Sequence, residues 1–203
     1  MTGAASAGRR AALLLPGLLL LPARAAGAAP TGGYSWKIMR EGRQVGTHRV
    51  SVSNEGAVRT ARTAVEIVIR LAGFTVFRFA HEYSETWDGR QLVEFRSHSE
   101  RQGREARCAV RPGSGDLVSE GTGPAVHLPR DAAPLSWWDP AALSRPLFDT
   151  SAGQLIAARP QRTNDGWRQP DPPYGEARYD AAGRWVGYSA RGDDGTAVHY
   201  ESA

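Results

Sequence analysis

The run Phe74–Trp87, FTVFRFAHEYSETW, holds the densest set of residues able to do chemistry in this chain. His81-Glu82-Tyr-Ser-Glu85 opens like the zinc signature H-E-x-x-H, but Glu85 stands where the second histidine is required. That signature also needs a helix, so that positions four apart meet on one face. The surrounding residues alternate as a strand, on which His81 and Glu85 share a face but lie about 13 Å apart. Glu82 and Glu85 fall on opposite faces, so they make no acid–base pair. We therefore expect no metal site and no catalytic carboxylate pair.

Binding is the chemistry this run does suit. Read at period two, one face carries Phe77, Phe79, His81, Tyr83, Glu85 and Trp87. Four aromatic rings and a histidine on one face suit the concave side of a curved sheet that receives an apolar ligand. The same rings would equally bury large areas as an ordinary core. The stretch Pro134-Leu-Ser-Trp-Trp-Asp-Pro140 supplies two more rings. Asp139 and Pro140 predict a helix start there, with at least one of Trp137 and Trp138 packed on the concave face and the other nearer solvent. The candidate ligand-binding residues are Phe77, Phe79, His81, Tyr83, Trp87, Trp137 and Trp138.

Other reactive patterns are missing or explained by local structure. There is no G-x-S-x-G elbow, no P-loop and no G-x-G-x-x-G, and no cofactor is expected. Arg191-Gly-Asp193 matches an adhesion tripeptide, but Arg-Gly-Asp-Asp-Gly between two strands is first a hairpin turn. His48, His98, His127 and His199 lie singly on different segments and read as surface or cross-strand residues. Cys108 is the only cysteine, which excludes an internal disulfide, and its strand-like context predicts a buried, inert thiol.

These residues must be positioned by strands. Tyr34–Ile38, Val45–Val52, Val58–Leu71, Phe74–Trp87, Leu92–Ser99 and Glu105–Val110 alternate in hydropathy between glycine-containing turns. The pattern predicts a mainly β protein, a curved antiparallel meander forming a half-barrel or open barrel. One short helix is expected near 139–145. Gly121–Pro134 reads as irregular, Leu155–Ala158 as a further strand and Gln161–Tyr174 as loop. Two closing hairpins follow, built on Ala177–Tyr179, Trp185–Ser189 and Val198–Tyr200.

The N-terminus points to the compartment. Arg9-Arg10, an apolar run through Leu21, and Ala26-Gly27-Ala28 predict a cleaved signal peptide over 1–28 and a single β-rich domain over 29–203. The apolar run is too short to span a bilayer. The paired arginines leave both the general secretory and the twin-arginine routes open. Loss of Arg9, Arg10 and Arg24 leaves 22 basic against 21 acidic residues, so the formal charge falls from +4 to +1. A near-balanced chain with alternating signs is not expected to bind nucleic acid.

The segments His81–Leu92, Ser136-Trp137, Phe148–Leu155 and Tyr179–Val186 occur in an order and spacing that resemble an exported bacterial family, known only as a domain of unknown function. That family is similar in style to periplasmic half-barrel proteins such as the lipoprotein carriers. The resemblance implies a fold and a location in the periplasm or outside the cell, and it supplies no activity. The chain departs from it at Gln169-Pro-Asp-Pro-Pro173, where a longer strand would be expected, so the sheet should be shorter on that side. Two functions stay open. One is a non-catalytic binder or carrier of an apolar or lipid-like ligand in the cell envelope. The other is a structural or protein-interaction module with no ligand.

Overall fold

The computed structural model describes residues 32–170 and 174–203, so the expected signal peptide lies outside the described residues. Six strands form the N-terminal meander: β1 (Tyr34–Arg40), β2 (Arg43–Glu55), β3 (Val58–Leu71), β4 (Phe74–Asp88), β5 (Gln91–Arg101) and β6 (Arg104–Pro112). Their turns fall where the sequence places glycine, because Gly42, Gly56, Gly73, Gly89 and Gly103 all take positive φ. Shorter strands follow: β7 (Leu117–Glu120), β8 (Val126–Leu128), β9 (Ala133–Pro134), β10 (Leu147–Phe148), β11 (Gln161–Arg162) and β12 (Gly166–Gln169). The chain ends in β13 (Gly175–Tyr179), β14 (Trp185–Arg191) and β15 (Ala197–Ser202).

Thirteen of these strands make one antiparallel sheet in the order β11-β12-β13-β14-β15-β1-β2-β3-β4-β5-β6-β7-β8. β1 joins the two halves by pairing with β2 on one side and β15 on the other. The sheet is not closed, and β11 and β8 are its edges. It is strongly curled: Arg101 of β5 forms an ion pair with Asp193 in the β14–β15 turn. Those positions are five to six strand spacings apart, roughly 24–29 Å on a flat sheet. The concave side holds the core, built from alternate residues such as Trp36, Val50, Ala61, Tyr83, Trp87, Phe95 and Val110.

Four expectations need correction. The helix near 139–145 is only a single 3-10 turn, Ala142–Ser144. Asp139 does receive a backbone hydrogen bond, from Ala141 N–H at 3.0 Å. The five residues between Pro140 and Pro146 are too few to propagate an α-helix past its costly first turn. The presumed loop Gln161–Tyr174 contains β11 and β12, so the sheet extends on the side expected to be shorter. Leu155–Ala158 contributes only an isolated bridge, Leu155 to Phe148. Gly121–Pro134 likewise contains β8 and β9. Short polar strands such as Gln161–Arg162 carry no alternation for sequence reading to detect. Among the described residues, no helix is long and apolar enough to cross a membrane.

One glycine sets the curl locally. Pairing of β1 with β2 shifts between Ile38 and Met39, and Gly46 lies at that bulge opposite Ile67. A Cβ on Gly46 would come 2.0 Å from the Glu66 carbonyl oxygen, which is backbone and has little room to move. Gly46→Ala is expected to cost about 2–4 kcal/mol, measured by urea unfolding, because the ladder must shift to admit one methyl. An unchanged midpoint would show that the bulge yields freely.

Candidate functional site

The concave face has a closed end and an open end, and β4 runs from one to the other. At the closed end, Glu85 is 1% exposed. It is held by two indoles: Trp87 Nε1 donates to Oε2 at 2.9 Å and Trp138 Nε1 donates to Oε1 at 2.6 Å. Each indole is capped by an arginine. The Arg59 guanidinium lies 5.0 Å from the Trp138 ring and pairs with Asp139 at 2.8 Å, while Arg145 lies 5.4 Å from the Trp87 ring. Burial pushes the Glu85 carboxyl up to about 7, and the two indole donors oppose that shift. The buried Ser136 hydroxyl also lowers it from nearby, without a hydrogen bond of good geometry.

The Trp137–Trp138 segment reaches Glu85 because β9 and β10 pair in parallel and close the neck of the loop between them. Both tryptophans are buried, which corrects the expectation that one would lie nearer solvent. Trp137 packs on Tyr188 with ring centroids 5.4 Å apart, and its carbonyl accepts from the Tyr179 hydroxyl at 2.6 Å. The loop is thus fastened to β4 by one tryptophan and to β13–β14 by the other.

Beside it, Trp185 is surrounded by Tyr34, Trp36, His48, Tyr188 and Tyr200 at centroid distances of 5.2–6.1 Å. His48 is a buried cross-strand residue, opposite Trp36 and Val65, so of its two expected readings the surface one is corrected. Its Nδ1 lies 3.2 Å from the Tyr200 hydroxyl, and its Nε2 has no partner. Burial lowers its pKa to about 3, so the ring is neutral at ordinary pH. The Thr63 and Ser97 hydroxyls nearby are also buried without partners. His81 is buried too, with Nε2 3.2 Å from the Thr150 carbonyl, and burial lowers its pKa.

Toward the other end, burial fades. Tyr83 and Trp87 are buried, whereas Phe77 and Phe79 are half-buried, as are Ile67 and Ile69 opposite them on β3. Arg101 lies over the Phe77 ring at 5.4 Å and marks the rim. All of the candidate ligand-binding residues therefore belong to one concave face, but only Phe77 and Phe79 are open to a newcomer. Cys108 is buried and its thiol pKa is raised by burial, as its strand context suggested.

The open depressions lie elsewhere, on the outer face. One of about 730 Å³ is lined there by Arg49, Arg62, Glu82, Arg96 and His98, and a neighbour of about 630 Å³ adjoins Glu105, Arg107 and Glu120. Sequence reading passed over Glu85 and His48 as site residues, although both stand at inward positions, between Tyr83 and Trp87 and two before Val50.

The family model described as Domain of unknown function (DUF6134) matches residues 36–203. No curated protein and no solved structure matches the chain.

Proposed function

We propose that this chain, which belongs to the Domain of unknown function (DUF6134) family, is a non-catalytic binder or carrier of an apolar or lipid-like ligand, exported to the cell envelope through its cleaved leader. One observation carries the reading. The concave face runs from buried Tyr83 past His81 and Val65 to an apolar outer half, Phe79 and Ile67 then Phe77 and Ile69, and that outer half is only half-covered. An apolar chain laid along that half would cover these side chains, each contributing about 25 cal/mol per Å² removed from water. The unpartnered Thr63 and Ser97 hydroxyls and His48 Nε2 lie deeper and offer hydrogen-bonding groups to a polar end group. The Glu85 carboxyl already accepts from two indoles, which favours anchoring over acid–base work.

Native mass spectrometry of protein recovered from the periplasmic fraction tests this directly. We expect a co-purifying apolar mass on the wild type, lost in Phe79→Glu while the fold is retained. The edges β8 and β11 support a second reading, as an interaction module of the envelope, because among the described residues no further strand pairs with either. Both are only two or three residues long, a common way to blunt an edge against pairing. A ligand-free wild type that crosslinks to a partner in the periplasm would overturn the first reading in favour of the second.

A further inference from the structure

We propose that the tip of the β3–β4 hairpin docks into an anionic phospholipid surface. β3 pairs with β2 only as far as Ile67, and β4 pairs with β5 only from Phe79. Val68–Arg78 therefore pair only with each other and project as a two-stranded arm. The arm is braced where it leaves the sheet. Gln102 of the β5–β6 turn donates from Nε2 to the Val76 carbonyl at 3.1 Å and accepts from Arg78 N–H at 2.7 Å, and its own N–H donates to the Arg78 carbonyl at 3.0 Å.

The arm ends in a tight turn with positive φ at both Ala72 and Gly73, the twist that suits a two-residue hairpin. Its apolar side chains are bare: Leu71 is 69% exposed, Phe74 76% and Val76 47%. A register shift beyond Ile69 leaves Val76 as the extra residue and sets Phe74 opposite Leu71. Leu71 and Phe74 are cross-strand partners and project together at the tip, while Val68, on the outer side, lies further back in the row of Arg78. Such an exposed apolar tip is the part that would enter a lipid interface.

Charge points the same way. From Ile67 to Phe79 there is no acid, and the only charges are the exposed Arg70 and Arg78. Three residues separate the Leu71–Phe74 row from the Val68–Arg78 row, about 10 Å at strand spacing. Apolar elements at a membrane interface sink roughly 5–10 Å, with arginine side chains reaching back to the phosphates. The tip can thus enter the acyl boundary while both guanidinium groups meet anionic headgroups. The inference stands on the arm alone. If the groove takes a lipid-like ligand, the strip from Leu71–Phe74 through Ile69–Phe77 leads from the surface into it.

Vesicle flotation tests the docking, using chains with the same N-terminus, on phosphatidylcholine alone and with about a third phosphatidylglycerol. The wild type is expected to float with the anionic vesicles. Leu71→Ser with Phe74→Ser should lower the bound fraction about tenfold or more, with an unchanged thermal melt, since both side chains are solvent-exposed. Arg70→Glu with Arg78→Glu should weaken binding to the anionic vesicles specifically. A wild type that stays in solution, or arm variants that float as well as it does, would overturn the proposal. So would a lipid-free dimer abolished by the Leu71 and Phe74 changes, which would make a second copy the partner. A wild type that floats but carries no ligand mass removes the ligand reading and leaves this one standing.

Discussion

Glu85→Ala is expected to cost about 3–4 kcal/mol of folding free energy, among the larger effects a single replacement can have. Two buried indole N–H groups would lose their acceptor at once, and the vacated volume lies between large rings that cannot collapse into it. Relief of the desolvation of a buried carboxyl offsets part of that loss, which keeps the figure below the sum of its parts. Glu85→Gln keeps the shape and one acceptor, but turns an amide N–H₂ toward the other indole. It should cost about 1–3 kcal/mol. Loss of the clamp also frees the loop between Ala133 and Phe148, so proteolysis should open there before the global transition. Urea unfolding followed by tryptophan fluorescence reads the first effect and limited digestion the second. If Glu85→Ala unfolds at the wild-type midpoint, the two indoles have found other acceptors and the clamp is not what holds the loop.

A second expected result is a stability profile whose slope in mild acid is reduced because buried Glu85 opposes the buried histidines. Glu85 holds its proton up to about pH 7 in the fold, while the unfolded carboxyl releases its proton near 4.5. Between those values the native state binds more protons, so this group makes stability fall as pH rises, by about 1.4 kcal/mol per unit and about 3 in all. His48 has the opposite sign. It stays neutral in the fold down to about 3, while the unfolded imidazole takes up a proton below 6.5. Its contribution is present above 6.5 and is lost as pH falls, with the same slope. His81, also lowered by burial, adds in the direction of His48, so the wild type keeps a shallow net loss of stability on acidification below 6.5.

From 4.5 to 6.5 the slopes of Glu85 and His48 nearly cancel. Glu85→Gln should therefore expose a steep loss of stability on acidification across that window. His48→Asn should lose stability as pH rises toward 7 and level off above. The urea midpoint measured at intervals of about half a pH unit separates these curves. A Glu85→Gln profile parallel to the wild type would mean that Glu85 titrates alike in the folded and unfolded chains.

Much of the meander was legible in the sequence. Val58–Leu71 and Phe74–Trp87 alternate over more than a dozen residues each, and glycine marks every turn between β1 and β6, so register and boundaries follow from local chemistry. The short strands were not. Gly166–Gln169 is a strand because β13 offers it an edge, and Gln161–Arg162 because β12 in turn does, and no residue within them announces it. The helix expected at Asp139 failed for a related reason. Asp139 does accept a backbone hydrogen bond as a cap would, but a helix also needs length, and two prolines deny it.

The residues of the site were visible one by one, and their relations were not. Parity along β4 put Phe77, Phe79, His81, Tyr83, Glu85 and Trp87 on one face before any coordinates, because side chains on a strand alternate without exception while the ladder holds. What parity cannot say is where along that face the protein fills its own groove. That depends on the loop closed by Ala133–Pro134 and Leu147–Phe148 returning Trp137 and Trp138 to Glu85 and Tyr188, contacts separated by some fifty residues of chain. It depends equally on β3 and β4 outrunning their neighbours, which leaves Leu71 and Phe74 bare. The sequence alone determined the long strands of the meander, their faces and their turns, since these are set by residues a few positions apart. Only the tertiary structure decided which end of the concave face is closed and which is open, since that rests on long-range packing that no local pattern encodes.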